Sequence, residues 1–340
     1  MLERMLRRLG TAVGGLILCI SCNGASPEQA EPSPDAHENA QGAPTERPDI
    51  VVVVIDTLRA DHLGIYGYHR PTSPNLDALA GRGVWYSRAY AHSGWTLPSF
   101  ASLLTGKLPY EHRVGRAPAN QSQFGRLPAG VETLPEELQA AGYATAAIVN
   151  NTFLAPEFGL QQGFDMYDYR GARNDEHRSS DETVRQALEW IESQSEPIFL
   201  MLHFMEPHPY FDPPEGIRGT FSGDANPKTE QAFQEMDYVY WVVGRTSPSP
   251  EQLNRVLALY DEEILTADRA LGMLAEGLES RRRWDQTLLV VTADHGEEFW
   301  DHGRFEHGHD LHGELTRVPL VIVGEDVGRG EVRDLVDHRG

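Results

Sequence analysis

Four short segments of this 340-residue chain carry side chains able to do chemistry at an anionic ester: 51–56, 95–106, 201–208 and 288–296. Each sets a carboxylate, hydroxyl or imidazole at the expected end of a strand or start of a helix. Asp56 follows one unbroken apolar run, His203 another, and Asp294-His295 a third, while Thr96 opens a stretch of helical character. In parallel sheets, ligands sit beyond the carboxyl ends of the strands, so these groups point to one shared site. Any one of them alone reads as a turn residue or helix cap; together they predict a metal-dependent catalytic centre.

Thr96 is the candidate nucleophile. Pro98 suits a first helical turn and Gly106 a stop, which predicts a helix with Thr96 or Leu97 at its N-cap, Thr96 favoured. A threonine there ordinarily satisfies a free backbone N–H. The same helix end can hold phosphate or sulfate, with the Thr96 oxygen placed to attack it. An unactivated threonine is a poor nucleophile and needs a metal to lower its pKa. Asp56, Asp294 and His295 are the candidate ligands of one divalent cation. Their oxygen-rich set with a single imidazole suits Mn²⁺, Mg²⁺ or Ca²⁺ and permits Zn²⁺. Lys107, His203, His208 and His309 are candidate binders of the anionic group or acids for the leaving group. His302, His307 and His312 read as solvated loop histidines.

The elements that must position these groups alternate along the chain. Apolar runs at 50–55, 144–149, 198–202, 288–292 and 318–323 read as buried parallel strands. Helical spacing at 74–80, 134–141, 182–192 and 252–278 separates them, with Thr133 and Glu136 forming a capping box. The fold class is therefore α/β, a doubly wound, mostly parallel sheet with helices on both faces. Segment 213–250, rich in Gly, Pro and polar residues, reads as an insertion. A formal net charge of -22 argues against nucleic acid as a partner.

At the N-terminus, Arg4, Arg7 and Arg8 precede a short apolar run, 9–20, of signal-peptide length. Ser21 before Cys22 resembles a bacterial lipoprotein signal, so 1–22 is expected to be removed or processed with Cys22 lipidated. Segment 23–47, rich in Pro, Ala, Glu and Ser, reads as a flexible tether. The catalytic domain, 48–340, is expected to be exported and lipid-anchored to a membrane, facing the periplasm or cell exterior. Both cysteines lie before the tether, so the domain has no disulfide to offer.

From position 50 onward the chain resembles the sulfatase family of the alkaline-phosphatase-like superfamily. Asp56-Thr57-Leu58-Arg59-Ala60-Asp61-His62-Leu63-Gly64 is similar to its first metal turn, and the stretch from Thr96 to Gly106 to its nucleophile helix. Gly163-Phe164-Asp165 is similar to a mid-domain turn, His203-Phe204-Met205-Glu206-Pro207-His208 to a substrate-side histidine motif, and Thr292-Ala293-Asp294-His295-Gly296-Glu297 to the second metal turn. Arg317-Val318-Pro319-Leu320 completes the series. The resemblance implies catalytic roles for His208 and His309, His309 standing where a Lys is common. It also has departures. Thr96 replaces the Cys or Ser that becomes formylglycine, and Phe100 replaces the arginine of that motif. Asn150 and Asn151 stand where a Lys and a His support the formylglycine, which makes Asn150 a candidate substrate binder. Thr57 replaces a second aspartate, and His295 an asparagine.

These changes resemble the threonine-nucleophile branch of lipoteichoic-acid synthases and related phosphotransferases. The expected function is a metal-dependent hydrolase or transferase of phosphate or sulfate esters, with phospho-group chemistry favoured. A formylglycine-independent sulfatase and a non-catalytic binding protein are the alternatives. Family members continue beyond the Arg-Val-Pro-Leu strand into a smaller subdomain, whose expected absence here would expose a sheet edge or part of the core.

Overall fold

The computed structural model describes residues 47–115, 124–169, 178–209, 211–223 and 246–339. The signal segment with Cys22, the tether up to 46 and most of the insertion, 224–245, lie outside the described residues.

The strands form where β-branched and aliphatic residues run together. In chain order they are β1 (Asp49–Ile55), β2 (Val84–Tyr86), β3 (Ala89–Tyr90), β4 (Ala144–Ile148), β5 (Met166–Asp168), β6 (Ile198–Phe204) and β7 (Thr287–Ala293). They continue with β8 (Glu298–Phe299), β9 (Phe305–Glu306), β10 (Arg317–Val318), β11 (Leu320–Val323), β12 (Gly330–Val332) and β13 (Val336–Asp337). The main sheet has eight strands in the order β12-β2-β11-β7-β1-β6-β4-β5. All run parallel except β11, which is antiparallel to both neighbours. Strands β1, β6 and β7 are buried along their whole length, as expected for central strands covered on both faces.

The run 318–323 was expected to be one strand. Pro319 splits it, so that β10 pairs with β3 in a small three-stranded sheet while β11 enters the main one. Pro lacks the N–H a continuous ladder needs. Strand β11 is interior, because β2 and β12 extend the sheet beyond it. The four large apolar side chains exposed among the described residues, Tyr110, Phe124, Leu311 and Leu335, do not include it.

The helices are α1 (Pro74–Ala80), α2 (Thr96–Thr105), α3 (Pro109–His112), α4 (Leu134–Ala140), α5 (Ser180–Glu192), α6 (Pro250–Ser280) and α7 (Gly313–Thr316). The Thr133 capping box at α4 is present, its hydroxyl accepting from Glu136 N–H and Glu136 Oε2 accepting from Thr133 N–H. Helix α6 has 31 residues and packs its buried stripe against α1 and α5.

One residue of α6 reaches the site. Thr57, directly after β1, has φ 55°, a left-handed conformation uncommon for a β-branched residue. The fully buried Tyr260 holds this turn by donating its hydroxyl to Thr57 O at 2.7 Å and accepting Arg59 N–H at 2.9 Å. Replacing Tyr260 by Phe leaves both backbone groups buried and unpaired, at about 1–3 kcal/mol each. We expect Tyr260→Phe to lower unfolding free energy by about 2 kcal/mol in urea titrations, with weaker divalent-metal binding as the turn relaxes.

Candidate metal and nucleophile site

Parallel pairing of β1 with β7 sets Ile55 beside Ala293, so the next residues, Asp56 and Asp294, emerge together at the carboxyl ends. Both carboxylates are fully buried. Asp56 Oδ2 accepts from Asn151 Nδ2 at 2.7 Å and pairs with His203 Nε2 at 3.1 Å. Asp294 Oδ1 accepts from His295 N–H at 2.9 Å. The remaining oxygens, Asp56 Oδ1 and Asp294 Oδ2, are buried without any hydrogen-bond donor.

The histidine beside them is equally constrained. His295 Nδ1 lies 2.9 Å from Gly296 O, an acceptor only, so Nδ1 carries the proton and Nε2 presents a lone pair. Burial, followed by the neighbouring His307 charge, holds the His295 pKa down to about 3, so the ring is neutral. Its Nε2 stands 3.3 Å from Asp294 Oδ2 and 3.5 Å from Asp56 Oδ1. Three lone-pair atoms thus face one another with no hydrogen between them, and all lie within 4.8 Å. Such a buried set fits a divalent cation. Without one, burial and then the Asp56 charge push Asp294 well above the carboxylate range. Burial acts upward on Asp56 too, but the His203 hydrogen bond and nearby imidazoles hold it low.

Thr96 completes the arrangement. It is the first residue of α2, whose N-cap is Trp95, so the cap expected at Thr96 or Leu97 falls earlier in the chain and the Thr96 hydroxyl lies inside the first turn. Its Oγ1 is buried, 3.4 Å from His295 Nε2, and accepts from Asn151 Nδ2 at 3.3 Å. Asn151 Oδ1 accepts from Phe153 N–H at 2.9 Å, which fixes the amide so that its two N–H bonds point to Asp56 and Thr96. A donor aimed at Oγ1 favours its ionised form.

Several sequence-based assignments change. Asn150 is not at the site: its amide donates to Thr183 Oγ1 at 3.0 Å and to His203 O, tying β6 to α5. The neighbouring Asn151 takes the place expected for it, a distinction that a one-residue alternation decides. His203 lies inside β6 and is fully buried, so it braces Asp56 instead of meeting substrate. Asn150 N–H donates to its Nδ1 at 3.4 Å, leaving Nε2–H for Asp56. Lys107 follows the C-terminus of α2, ten residues long and about 15 Å at 1.5 Å per residue, so it lies at the far end from Thr96. The Phe100 ring packs 5.5 Å from that of His203.

Among the loop histidines, His307 enters the site and His309 serves the loop. The His307 ring lies 4.5 Å from that of His295 and 5.0 Å from that of His208. Its Nδ1 is 3.2 Å from both Glu297 oxygens. Burial pushes Glu297 up to about 8 and His307 down to about 4, so near neutral pH the carboxyl is a donor and His307 Nε2 keeps its hydrogen. His208 Nδ1 donates to Pro209 O at 2.6 Å, leaving Nε2 free to exchange a proton. His309 Nε2 instead donates to Glu298 Oε2 at 2.8 Å, and Glu298 Oε1 accepts the N–H of His302 and Arg304. The sequence signal for His307 and Glu297 was their closeness to Asp294, which spacing alone does not turn into contact.

A sulfatase family model matches residues 48–338. The chain belongs to the sulfatase family. It is 24% identical over 341 residues to an arylsulfatase of Clostridium perfringens, covering 81% of this chain and 68% of that protein. It is 23% identical over 365 residues to an N-acetylglucosamine-6-O-sulfatase of Bacteroides thetaiotaomicron, covering 84% and 64%. The chain spans about two thirds of these relatives, and 51% of others of the family. The phosphonate monoester hydrolase of Agrobacterium radiobacter superposes with a TM-score of 0.68 at 25% identity, over 86% of this chain and 72% of that one. The fold is thus the alkaline-phosphatase-like one, whose members use a divalent metal, and Asp56, Asp294 and His295 form a candidate ligand group for one here.

A cavity of about 470 Å³ adjoins His208 and carries the charged residues Arg178, Glu206, Asp212, Glu263 and Arg269 in its lining. Glu263 accepts Asp212 N–H at 2.6 Å, and burial, then repulsion from Glu206, pushes its pKa up to about 8. A carboxyl raised in the folded state stabilises fully below its unfolded value near 4.5, and that contribution is lost as pH rises through about 8. Glu263→Gln, which keeps the acceptor, is therefore expected to flatten the fall in unfolding free energy between pH 5 and 8 by a few kcal/mol, on the order of one pKa unit per ~1.4 kcal/mol. Metal titration calorimetry with Mn²⁺ tests the site itself. We expect Asp56→Asn to abolish binding and His203→Gln, which loses only the brace on Asp56, to weaken it about 10- to 100-fold.

Proposed function

We propose that this chain is a metal-dependent hydrolase or transferase of monoanionic phosphate esters, phosphodiesters or phosphonate monoesters, with Thr96 as nucleophile. The observation that carries the reading is the placement of the buried Thr96 hydroxyl against His295 Nε2 and Asn151 Nδ2. Oxidation of a threonine stops at a ketone because Cβ already bears a methyl group, so the formylglycine route is closed and the hydroxyl must act directly.

A divalent cation held by Asp56, Asp294 and His295 supplies positive charge that favours the ionised hydroxyl and offsets charge on the transferred group. Thr96 Oγ1 then bonds to phosphorus while the ester P–O bond breaks. Asn151 donates to the attacking oxygen, and the helix N-terminus and His307 Nε2–H stabilise the charge that develops. The leaving alcohol takes a proton from His208. His208, now neutral, takes a proton from the water or acceptor alcohol that displaces Thr96, which restores the starting state.

Charge supports the monoanionic preference. Two carboxylates offset a 2+ cation, and the cations beside the site are engaged, Arg59 by Asp61 and Asp301 and Arg178 by Asp168. A dianionic phosphomonoester finds little uncompensated charge there. The cavity, lined by charges of both signs together with Met205, Pro209 and Pro214, suits a leaving group with both hydroxylated and apolar surface. The likeness to a phosphonate monoester hydrolase supports the same class. Export and lipid anchoring through Cys22 belong to this proposal as the route to extracellular or periplasmic esters.

The test is a panel of phosphodiester, phosphomonoester, phosphonate monoester and sulfate ester with added Mn²⁺, for wild type and Thr96→Ala. We expect phosphodiester and phosphonate turnover exceeding phosphomonoester turnover, and a loss of at least about 10³-fold in kcat on Thr96→Ala, which removes the covalent route. Sulfate-only turnover, or full activity in Thr96→Ala, rejects the assignment.

A further inference from the structure

The hairpin that follows Asp294 carries a second constellation, unrelated to the nucleophile. Strands β8 and β9 pair antiparallel, with His302 in the turn between them, and the chain then passes His307 and His309 to reach His312 and Glu314 at α7. One ring nitrogen of His302, one of His312 and one Glu314 oxygen lie within 4.8 Å of one another. The two imidazoles stack at 3.7 Å between centroids with 20° between planes. His302 and His312 are about half exposed, whereas the Glu314 side chain is only 9% exposed. Its Oε1 is buried without a hydrogen-bond partner although His302 Nε2 lies 3.1 Å away. A carboxylate oxygen held out of water, unpaired and beside two imidazoles, is an arrangement that a bound cation would satisfy.

We propose that His302, His312 and Glu314 form a second metal site, of the zinc class, separate from the Asp56, Asp294 and His295 centre. Two imidazoles and one carboxylate with solvent on the open side are the donor set of a three-ligand Zn²⁺ site that keeps a water. The carboxylate-richer first site favours harder cations. Asp310, whose Oδ2 is 3.3 Å from His312 Nε2, orients that ring. The ligands flank the segment that delivers His307, so metal binding clips it at both ends. Glu314 also bears on the catalytic turn: Gly296 N–H donates to Leu315 O at 2.9 Å, and a Cβ at Gly296 would lie 2.0 Å from Glu314 O. The site therefore fixes the hairpin against the Asp294 turn without touching substrate.

Metal counting tests this independently of the Thr96 reading. The full chain is stripped with chelator, reloaded with Zn²⁺, passed through a desalting column and assayed for bound zinc. Asp294→Asn, which disables the first site, is expected to keep one equivalent. Asp294→Asn combined with His302→Ala, or with His312→Ala, is expected to keep none. Zn²⁺ should raise the Tm of Asp294→Asn and leave the combined variants unmoved, a readout that also shows they are folded. Cobalt substitution of Asp294→Asn should give the visible absorption of a four-coordinate nitrogen and oxygen site, lost in Glu314→Gln. No zinc on Asp294→Asn, or equal zinc with and without His302, overturns the proposal.

Discussion

Asp56 Oδ1, Asp294 Oδ2 and His295 Nε2 face one another inside the protein with no hydrogen among them. Isolated buried charge of this kind is among the costliest arrangements a fold can hold, and a divalent cation removes the cost. Much of the surrounding structure exists to maintain it. His203 and Asn151 use up the other Asp56 oxygen, Gly296 O fixes the His295 tautomer, and His295 N–H takes the other Asp294 oxygen. Each of these bonds leaves one lone pair pointing at the same place.

Backbone geometry makes that convergence possible. Central β1 and β7 run side by side with Ile55 opposite Ala293, so their next residues meet without any loop having to fold over. The left-handed Thr57 turns the chain away at once, and Tyr260 on α6 holds the turn by both of its backbone partners. A helix on one face of the sheet thus carries part of the cost of strain at the strand end. The long α6 packs against α1 and α5, yet its contribution to the strand-end turn is one hydroxyl, while Glu263 and Arg269 line the neighbouring cavity.

The same logic divides the histidines into ligand, brace, donor and loop anchor. Burial and the first hydrogen-bond partner decide each role: Gly296 O for His295, Asn150 N–H for His203, Glu297 for His307, Glu298 for His309. Identical side chains a few residues apart acquire different roles because each ring's second nitrogen is committed elsewhere.

The sequence by itself determined the sheet class, a helix over the stretch ending before Gly106, and the meeting of Asp56, Asp294 and His295 at one end of the sheet, because apolar runs ending in polar residues have only one place to go in a parallel sheet. It also carried the sulfatase family and the substitution of threonine for the formylglycine precursor. Tertiary structure decided what adjacent, chemically identical residues do. Asn151 and not Asn150 reaches Thr96, since successive residues leaving a strand point to opposite sides. His307 and not His309 enters the site, Lys107 lies a helix length away, and His203 sits one residue inside β6 instead of beyond it. Spacing along the chain limits which residues can meet, but side-chain direction and the hydrogen bonds already satisfied choose among them, and those are properties of the packed fold.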